Sequence, residues 1–354
     1  MPGQPYPRIH PDRRVTFRLT APEAKRVQVV PGGRDNGLGA GPFEMAKDGA
    51  GVWTVTIPPA VPGFHYYWFN VDGFTCNDPA TQSFFGYNKE CSGIEIPDAE
   101  GDFYAVRDVP HGEVRARVYF SRVTGEWRRA LVYTPPGYDT HPEQRYPVLY
   151  LQHCAGESER GWTNQGRAQF ILDNLLAAGQ IRPMLVVMEN GMVAQRVGAP
   201  APTVGGRPNE AFAEVVLQDL IPMVDATYRT RPDRKHRAIA GLSMGAGQAL
   251  QIGLANRDRF GAIASFSGVV PEGFDPATSY GGVFRDPQAF ARQETLLWMG
   301  AGTAEPPRIY GMKQVAEKIR GAGIPVVWLD VPGLTHEWQT WRRCLLDFAP
   351  RLFR

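Results

Sequence analysis

The chain has 354 residues, 43% hydrophobic and 21% charged, which is enough for sizeable buried cores and too long for one typical domain. Its 38 basic and 36 acidic residues leave a net charge of +2, so nothing electrostatic points to nucleic acid or to an anionic membrane surface. No apolar run approaches the roughly 20 residues of a membrane span. The four cysteines, Cys76, Cys91, Cys154 and Cys344, form no C-x-x-C pair, so neither structural zinc nor another metal is expected. Cys76 and Cys91 share the N-terminal region and would pair in an oxidising compartment, but free buried thiols are the default expectation. The start, Met1-Pro2-Gly3-Gln4-Pro5, lacks the basic and apolar pattern of a signal peptide. The expected location is secreted or periplasmic with the leader already removed, and a cytoplasmic chain is the alternative.

From about residue 10 to residue 97 the chain reads as all-β. Val15–Leu19 and Val27–Val30 are short strands between Pro and Gly turns. Gly51–Ile57 alternates with period two, as a half-buried strand does, and Phe64–Val71 is another strand ending at the turn Asp72-Gly73. Several short strands with regular turns predict a β-sandwich over residues 1–100. The run Trp53-x-x-x-Ile57, Pro62-Gly63-Phe64-x-Tyr66, Trp68, Val71-Asp72-Gly73 and Asn77-Asp78-Pro79 resembles the immunoglobulin-like glycogen-binding modules of the CBM48 type. In such modules exposed aromatics stack on sugars. For Tyr66, Tyr67 and Trp68 packing is the expectation, because alternation puts half of them inside.

Asp98–Pro110 reads as a linker, and residues 101–354 then form the second domain. Gly112–Phe120 alternates, and Trp127–Thr134 reads as a strand running into the turn Pro135-Pro136-Gly137. Tyr146–His153 is near-continuously apolar, the signature of a parallel strand covered on both faces. A helix over Arg167–Ala178, the strand Pro183–Met188, a Gly- and Pro-rich loop from Glu189 to Pro208 and a helix over Ala211–Tyr228 follow. After these come the strands Ala238–Ala240, Ala262–Ser267, Thr295–Met299 and Pro325–Val331, with helices over Tyr310–Gly321 and Trp338–Phe348. Strands alternating with helices predict an α/β domain with a mostly parallel, doubly wound sheet.

Ala238-Ile239-Ala240-Gly241-Leu242-Ser243-Met244-Gly245 carries the chemistry. An apolar strand, G-x-S-x-G and a helix are the context of a nucleophile elbow, in which the serine sits at strained backbone angles and side chains at Gly241 or Gly245 would collide with their surroundings. A serine nucleophile needs a histidine base and an acid to orient it. Of seven histidines, His336 lies in the loop after the last strand, where an α/β-hydrolase in the order Ser, acid, His carries its base. The acid belongs after the penultimate strand, where Glu305 is the sole carboxylate. Asp330 in the last strand is the rival, and Glu337 is expected to point elsewhere. The oxyanion hole would combine the Met244 N–H with an N–H of Cys154 or Ala155 in the loop His153-Cys154-Ala155-Gly156.

Tyr133-x-Pro135-Pro136-Gly137-Tyr138, Gly161-Trp162-x-x-Gln165-Gly166, Leu172-Asp173-Asn174-Leu175, the Ser243 motif and His336-x-Trp338-x-x-Trp341-Arg342 together resemble the esterase D superfamily, and within it the family 1 carbohydrate esterases. Two departures stand out. The family usually has His-Gly-Gly or His-Gly-x-Gly at His153–Gly156, and usually Asp at Glu305. The resemblance implies an α/β-hydrolase that cleaves esters of plant cell walls, feruloylated or acetylated xylan, through Ser243, His336 and Glu305, with no cofactor. Trp162, Gln165 and Trp338 flank the expected site and are candidates to bind substrate. A siderophore esterase keeps the chemistry and changes the substrate. A glycan-binding protein with an inactive hydrolase domain is the alternative that is not an enzyme. The expected partner is the ester substrate, with no nucleic acid or membrane, and a homodimer stays open.

Overall fold

The structure is a computed structural model and describes residues 5–33, 36–193 and 209–354. Most of the Gly- and Pro-rich loop from Glu189 to Pro208 lies outside the described residues. The chain divides into two compact units, Met1–Asp102 with Leu334–Thr340, and Phe103–Gly333 with Trp341–Arg354.

The first unit is a pair of antiparallel sheets. Strands β1 (Arg8–Ile9), β2 (Val15–Thr20), β3 (Val27–Pro31), β4 (Phe43–Glu44), β5 (Ala46–Lys47), β6 (Val52–Ile57), β7 (Gly63–Val71), β8 (Phe74–Cys76), β9 (Ser83–Gly86) and β10 (Lys89–Ile96) follow in order. One sheet runs β1-β2-β6-β5 and the other β4-β3-β7-β10-β9, with β8 beside β7. Alternation decides what fills the space between them: Val15 and Phe17 from β2, Val27 and Val29 from β3, and Tyr67 and Phe69 from β7 form one core. Tyr66 and Tyr67 are buried, while Trp68 is half-buried with the Lys89 ammonium 3.9 Å from its ring. The four cysteines are free thiols.

The second unit is built on one sheet of β11 (Glu113–Ser121), β12 (Glu126–Thr134), β13 (Val148–Gln152), β14 (Leu185–Glu189), β15 (Arg237–Leu242), β16 (Ala262–Phe266), β17 (Leu296–Gly302) and β18 (Val327–Val331). Its order is β11-β12-β14-β13-β15-β16-β17-β18. The hairpin β11–β12 is antiparallel and joins β14 antiparallel, and every pairing from β14 to β18 is parallel. Strands β13 to β16 are buried at every residue, which is why each reads as a mostly apolar run.

Helix α1 is Ala168–Ala177. Asp173 on it accepts hydrogen bonds from the Tyr133 hydroxyl at 2.6 Å and the Gly112 N–H at 3.0 Å, and Asn174 donates to the carbonyls of Phe103 and Ala105. The Leu172–Leu175 motif thus ties down the chain entering the sheet. Helix α2 comprises Asn209–Glu214, a π-helical stretch Val215–Leu220 and Ile221–Thr227. Helices α3 (Met244–Ala255), α4 (Met312–Gly321) and α5 (Trp338–Phe348) complete the elements used below.

Candidate active site

Ser243 sits between β15 and α3 with φ 53° and ψ −112°, a region that costs a non-glycine residue about 1–3 kcal/mol. The neighbouring glycines make this turn fit. A Cβ on Gly241 would lie 2.3 Å from the Gly245 carbonyl oxygen, and one on Gly245 would lie 2.6 Å from the His153 carbonyl oxygen. The Ser243 N–H donates to Phe266 O at 2.9 Å, locking the turn to β16. The hydroxyl therefore stands at the N-terminus of a twelve-residue helix, where backbone N–H groups favour developing negative charge.

The loop after β13 supplies the other side. His153 is buried, and its Nδ1 lies 2.7 Å from the Cys154 carbonyl while its Nε2 accepts the Gly191 N–H at 2.9 Å. This pattern requires the neutral tautomer with the proton on Nδ1, and burial lowers the pKa of the ring accordingly. In a trans peptide the carbonyl and the next N–H point in opposite directions. Holding the Cys154 carbonyl on His153 thus turns the Ala155 N–H the other way. The Cys154 N–H is directed to Glu157 Oε2 at 3.4 Å. The Cys154 thiol is pushed up to about 12 by burial and by Glu157, and the groups that counter this are the Ser243 hydroxyl and the N–H groups of Ala155 and Met244. The Ser243 hydroxyl and the Ala155 and Met244 N–H groups thus all act on the Cys154 thiol.

Glu305 follows β17 and is buried. Its Oε1 accepts the Ser267 hydroxyl at 2.5 Å and the Gly302 N–H at 2.9 Å. Asp330, its rival, is engaged elsewhere: it accepts from Lys313 Nζ at 2.7 Å, Tyr310 OH at 2.9 Å and Trp328 Nε1 at 2.8 Å. Burial works to raise the Asp330 pKa, but these donors, Lys313 foremost, leave it below the usual value.

His336 lies on Leu334–Thr340, a segment of the first unit, and the Glu337 carboxylate beside it turns to Gly37 and His65. Trp162, Gln165 and Trp338, expected as substrate contacts, are buried. Trp162 donates its indole N–H to Gln152 O at 2.9 Å and packs edge-on against Phe266. The Gln165 carbonyl accepts Arg342 Nε at 3.0 Å. These side chains fill the structure beneath the loops, as large apolar groups do by default.

Three contributors escaped the sequence reading. Ser267, at φ 52°, holds Glu305. His153 sets the Cys154 peptide. Gly191 is clamped between the His153 ring and Gln248, whose Nε2 donates to its carbonyl at 3.0 Å; a Cβ on Gly191 would lie 2.6 Å from Gln248 Oε1. Among the described residues no group of three or more His, Cys, Asp or Glu side chains could hold a metal ion.

A strained serine at a strand-to-helix turn on a mostly parallel sheet defines the α/β-hydrolase class. The chain belongs to the esterase family: that family's model matches residues 121–352, and the model for carbohydrate-binding module 48, the isoamylase N-terminal domain, matches residues 7–82. The chain is 39% identical, over its whole length, to the endo-1,4-beta-xylanase/feruloyl esterase of Xylanibacter ruminicola, of which it spans 46%. The chain thus spans less than half the length of the first curated relatives it matches. In fold it is similar to a family 1 ferulic acid esterase of Anaeromyces mucronatus, with TM-score 0.62 and 23% identity over 73% of this chain and 96% of that one. It is similar also to the enterobactin esterase of Shigella flexneri, with TM-score 0.68 and 20% identity over 96% and 93%.

Proposed function

We propose that the protein releases ferulate from feruloylated xylan. Ser243 attacks the ester carbonyl, His336 takes the hydroxyl proton and returns it to the leaving alcohol, and Glu305 holds one tautomer of His336 and stabilises its imidazolium. The N–H groups of Met244 and Ala155 receive the oxyanion, and water then releases the acyl group by the same steps. The observation that carries the chemistry is the Ser243 turn, whose φ of 53° is tolerated because Gly241 and Gly245 clear the space around it. What supports the substrate is the 39% identity to a protein described as a xylanase/feruloyl esterase. A polymeric plant substrate goes with a secreted or periplasmic location.

The test is hydrolysis of methyl ferulate, feruloylated arabinoxylan, acetylated xylan and a catecholate triester by wild type and Ser243→Ala. Ferulate release abolished in the variant is the expected result. Acetate release alone moves the substrate to acetylxylan, and triester turnover alone moves it to siderophores. Turnover that survives Ser243→Ala overturns the mechanism.

A further inference from the structure

His336 is carried by Leu334–Thr340, which in the chain follows β18 yet packs with residues 1–102 as one compact unit. The bond that ties it there is made by the next residue. Glu337 Oε1 lies 2.9 Å from His65 Nδ1, and Oε2 accepts the Gly37 N–H at 2.9 Å and Gln339 Nε2 at 2.9 Å. His65 is fully buried on β7, and its other ring nitrogen lies 2.7 Å from the Val61 carbonyl. Both ring nitrogens thus face acceptors, and both bonds are made together only when the ring carries two protons, as an imidazolium paired with the carboxylate.

The surroundings leave this clamp little play. A Cβ on Gly37 would lie 2.3 Å from His65 Cε1, and one on Gly63 would lie 2.9 Å from Gln339 Cβ. The loop is also braced internally. Glu337 N donates to Thr335 O at 2.9 Å, Thr340 N to Glu337 O at 3.0 Å, and Thr340 Oγ1 to Thr335 O at 2.6 Å. His336 therefore stands between two residues whose positions are fixed, and one of them is fixed by the β-sandwich.

We propose that His65 and Gly37 are positioning groups for ester hydrolysis: by clamping Glu337 they set the backbone on which His336 is carried. The proposal rests on the reading of His336 as the general base. A base displaced by about 1 Å loses up to about a hundredfold in rate while ground-state binding is little changed, so the effect belongs in kcat.

The test uses the full chain, with Glu337→Gln, His65→Gln and their combination assayed on methyl ferulate beside Ser243→Ala and His336→Ala, each below its measured melting temperature. The expected result is a fall in kcat of about tenfold to a hundredfold for each single variant, with KM within about twofold of wild type. The combined variant should fall well short of the product of the two single losses, because both changes open one clamp. Single variants with kcat within about twofold of wild type overturn the inference, even where their melting temperatures drop, since the contact is then structural alone. Multiplying losses overturn it as well. Substantial turnover by His336→Ala removes the base assignment itself, which separates failure of that reading from failure of the clamp.

Discussion

His153 donates from Nδ1 to the carbonyl of its own neighbour, Cys154, at 2.7 Å, and through that peptide fixes the direction of the Ala155 N–H. A buried side chain would thereby set the proposed oxyanion donor. His153→Ala should lower kcat by about a hundredfold, the range seen when one such donor is lost, with a smaller change in KM. Steady-state kinetics on methyl ferulate check this. The same ring has a lowered pKa from burial, so its contribution to stability is fully present above pH 6.5 and is lost as pH falls below 6.5 toward the lowered value. Melting temperatures of wild type and His153→Ala should converge as the pH is lowered through that window.

The Cys154 thiol borders the volume where the substrate oxygen would be held, and burial followed by Glu157 pushes it up to about 12. At neutral pH it is therefore a thiol, and the thiolate fraction grows about tenfold per pH unit. Inactivation by iodoacetamide should be slow at pH 7 and should accelerate without a plateau up to pH 9.5. Each modified thiol would fill the space beside the Met244 and Ala155 N–H groups. Cys154→Ala, compared with its own starting rate, should not be inactivated. A plateau between pH 7 and 9 would show a more acidic thiol than this site allows.

Glu305 depends on Ser267, whose hydroxyl it accepts at 2.5 Å. Glu305→Gln retains the shape but loses the charge that, in the proposed mechanism, would stabilise the His336 imidazolium, and kcat should fall by about two to four orders of magnitude. Ser267→Ala removes one donor and leaves the Gly302 N–H in place. It should cost about 1 kcal/mol of stability and less than about tenfold in kcat. Equal losses for the two variants would mean that Glu305 acts as a structural anchor and not on the histidine.

What was legible in the sequence was local. The glycines around Ser243 are needed by atoms within a few residues and one strand away, so their spacing, with the apolar strand before and the helix after, exposed the turn. The strands from β13 to β16 read as apolar runs because both faces are covered. What stayed hidden was pairing through space. Ser267 meets Glu305 from 38 residues away, and His65 meets Glu337 from 272. No periodicity marks either pair. Trp162 and Trp338 flank the expected site in the chain, and both rings are buried, where a large apolar ring gains most. Nor did the sequence show that Lys313 and Tyr310, a helix away in the chain, donate to Asp330.

The His65–Glu337 pair also sets a pH dependence of stability in the first unit. Burial works against the charged ring, but the Glu337 carboxylate, with the Val61 carbonyl and the more distant Glu95 on β10, more than offsets it, and the His65 pKa is raised. A histidine with a raised pKa contributes stability that is fully present below its unfolded value of about 6.5 and is lost as pH rises through the folded value. Above that value the neutral ring can donate only one of its two bonds, and either Glu337 or the Val61 carbonyl loses its partner. The melting temperature of wild type should therefore exceed that of His65→Gln most clearly at pH 6, and the gap should narrow steadily toward pH 9. A gap that widens with pH would mean that the ring is buried neutral, with one of these two contacts unmade.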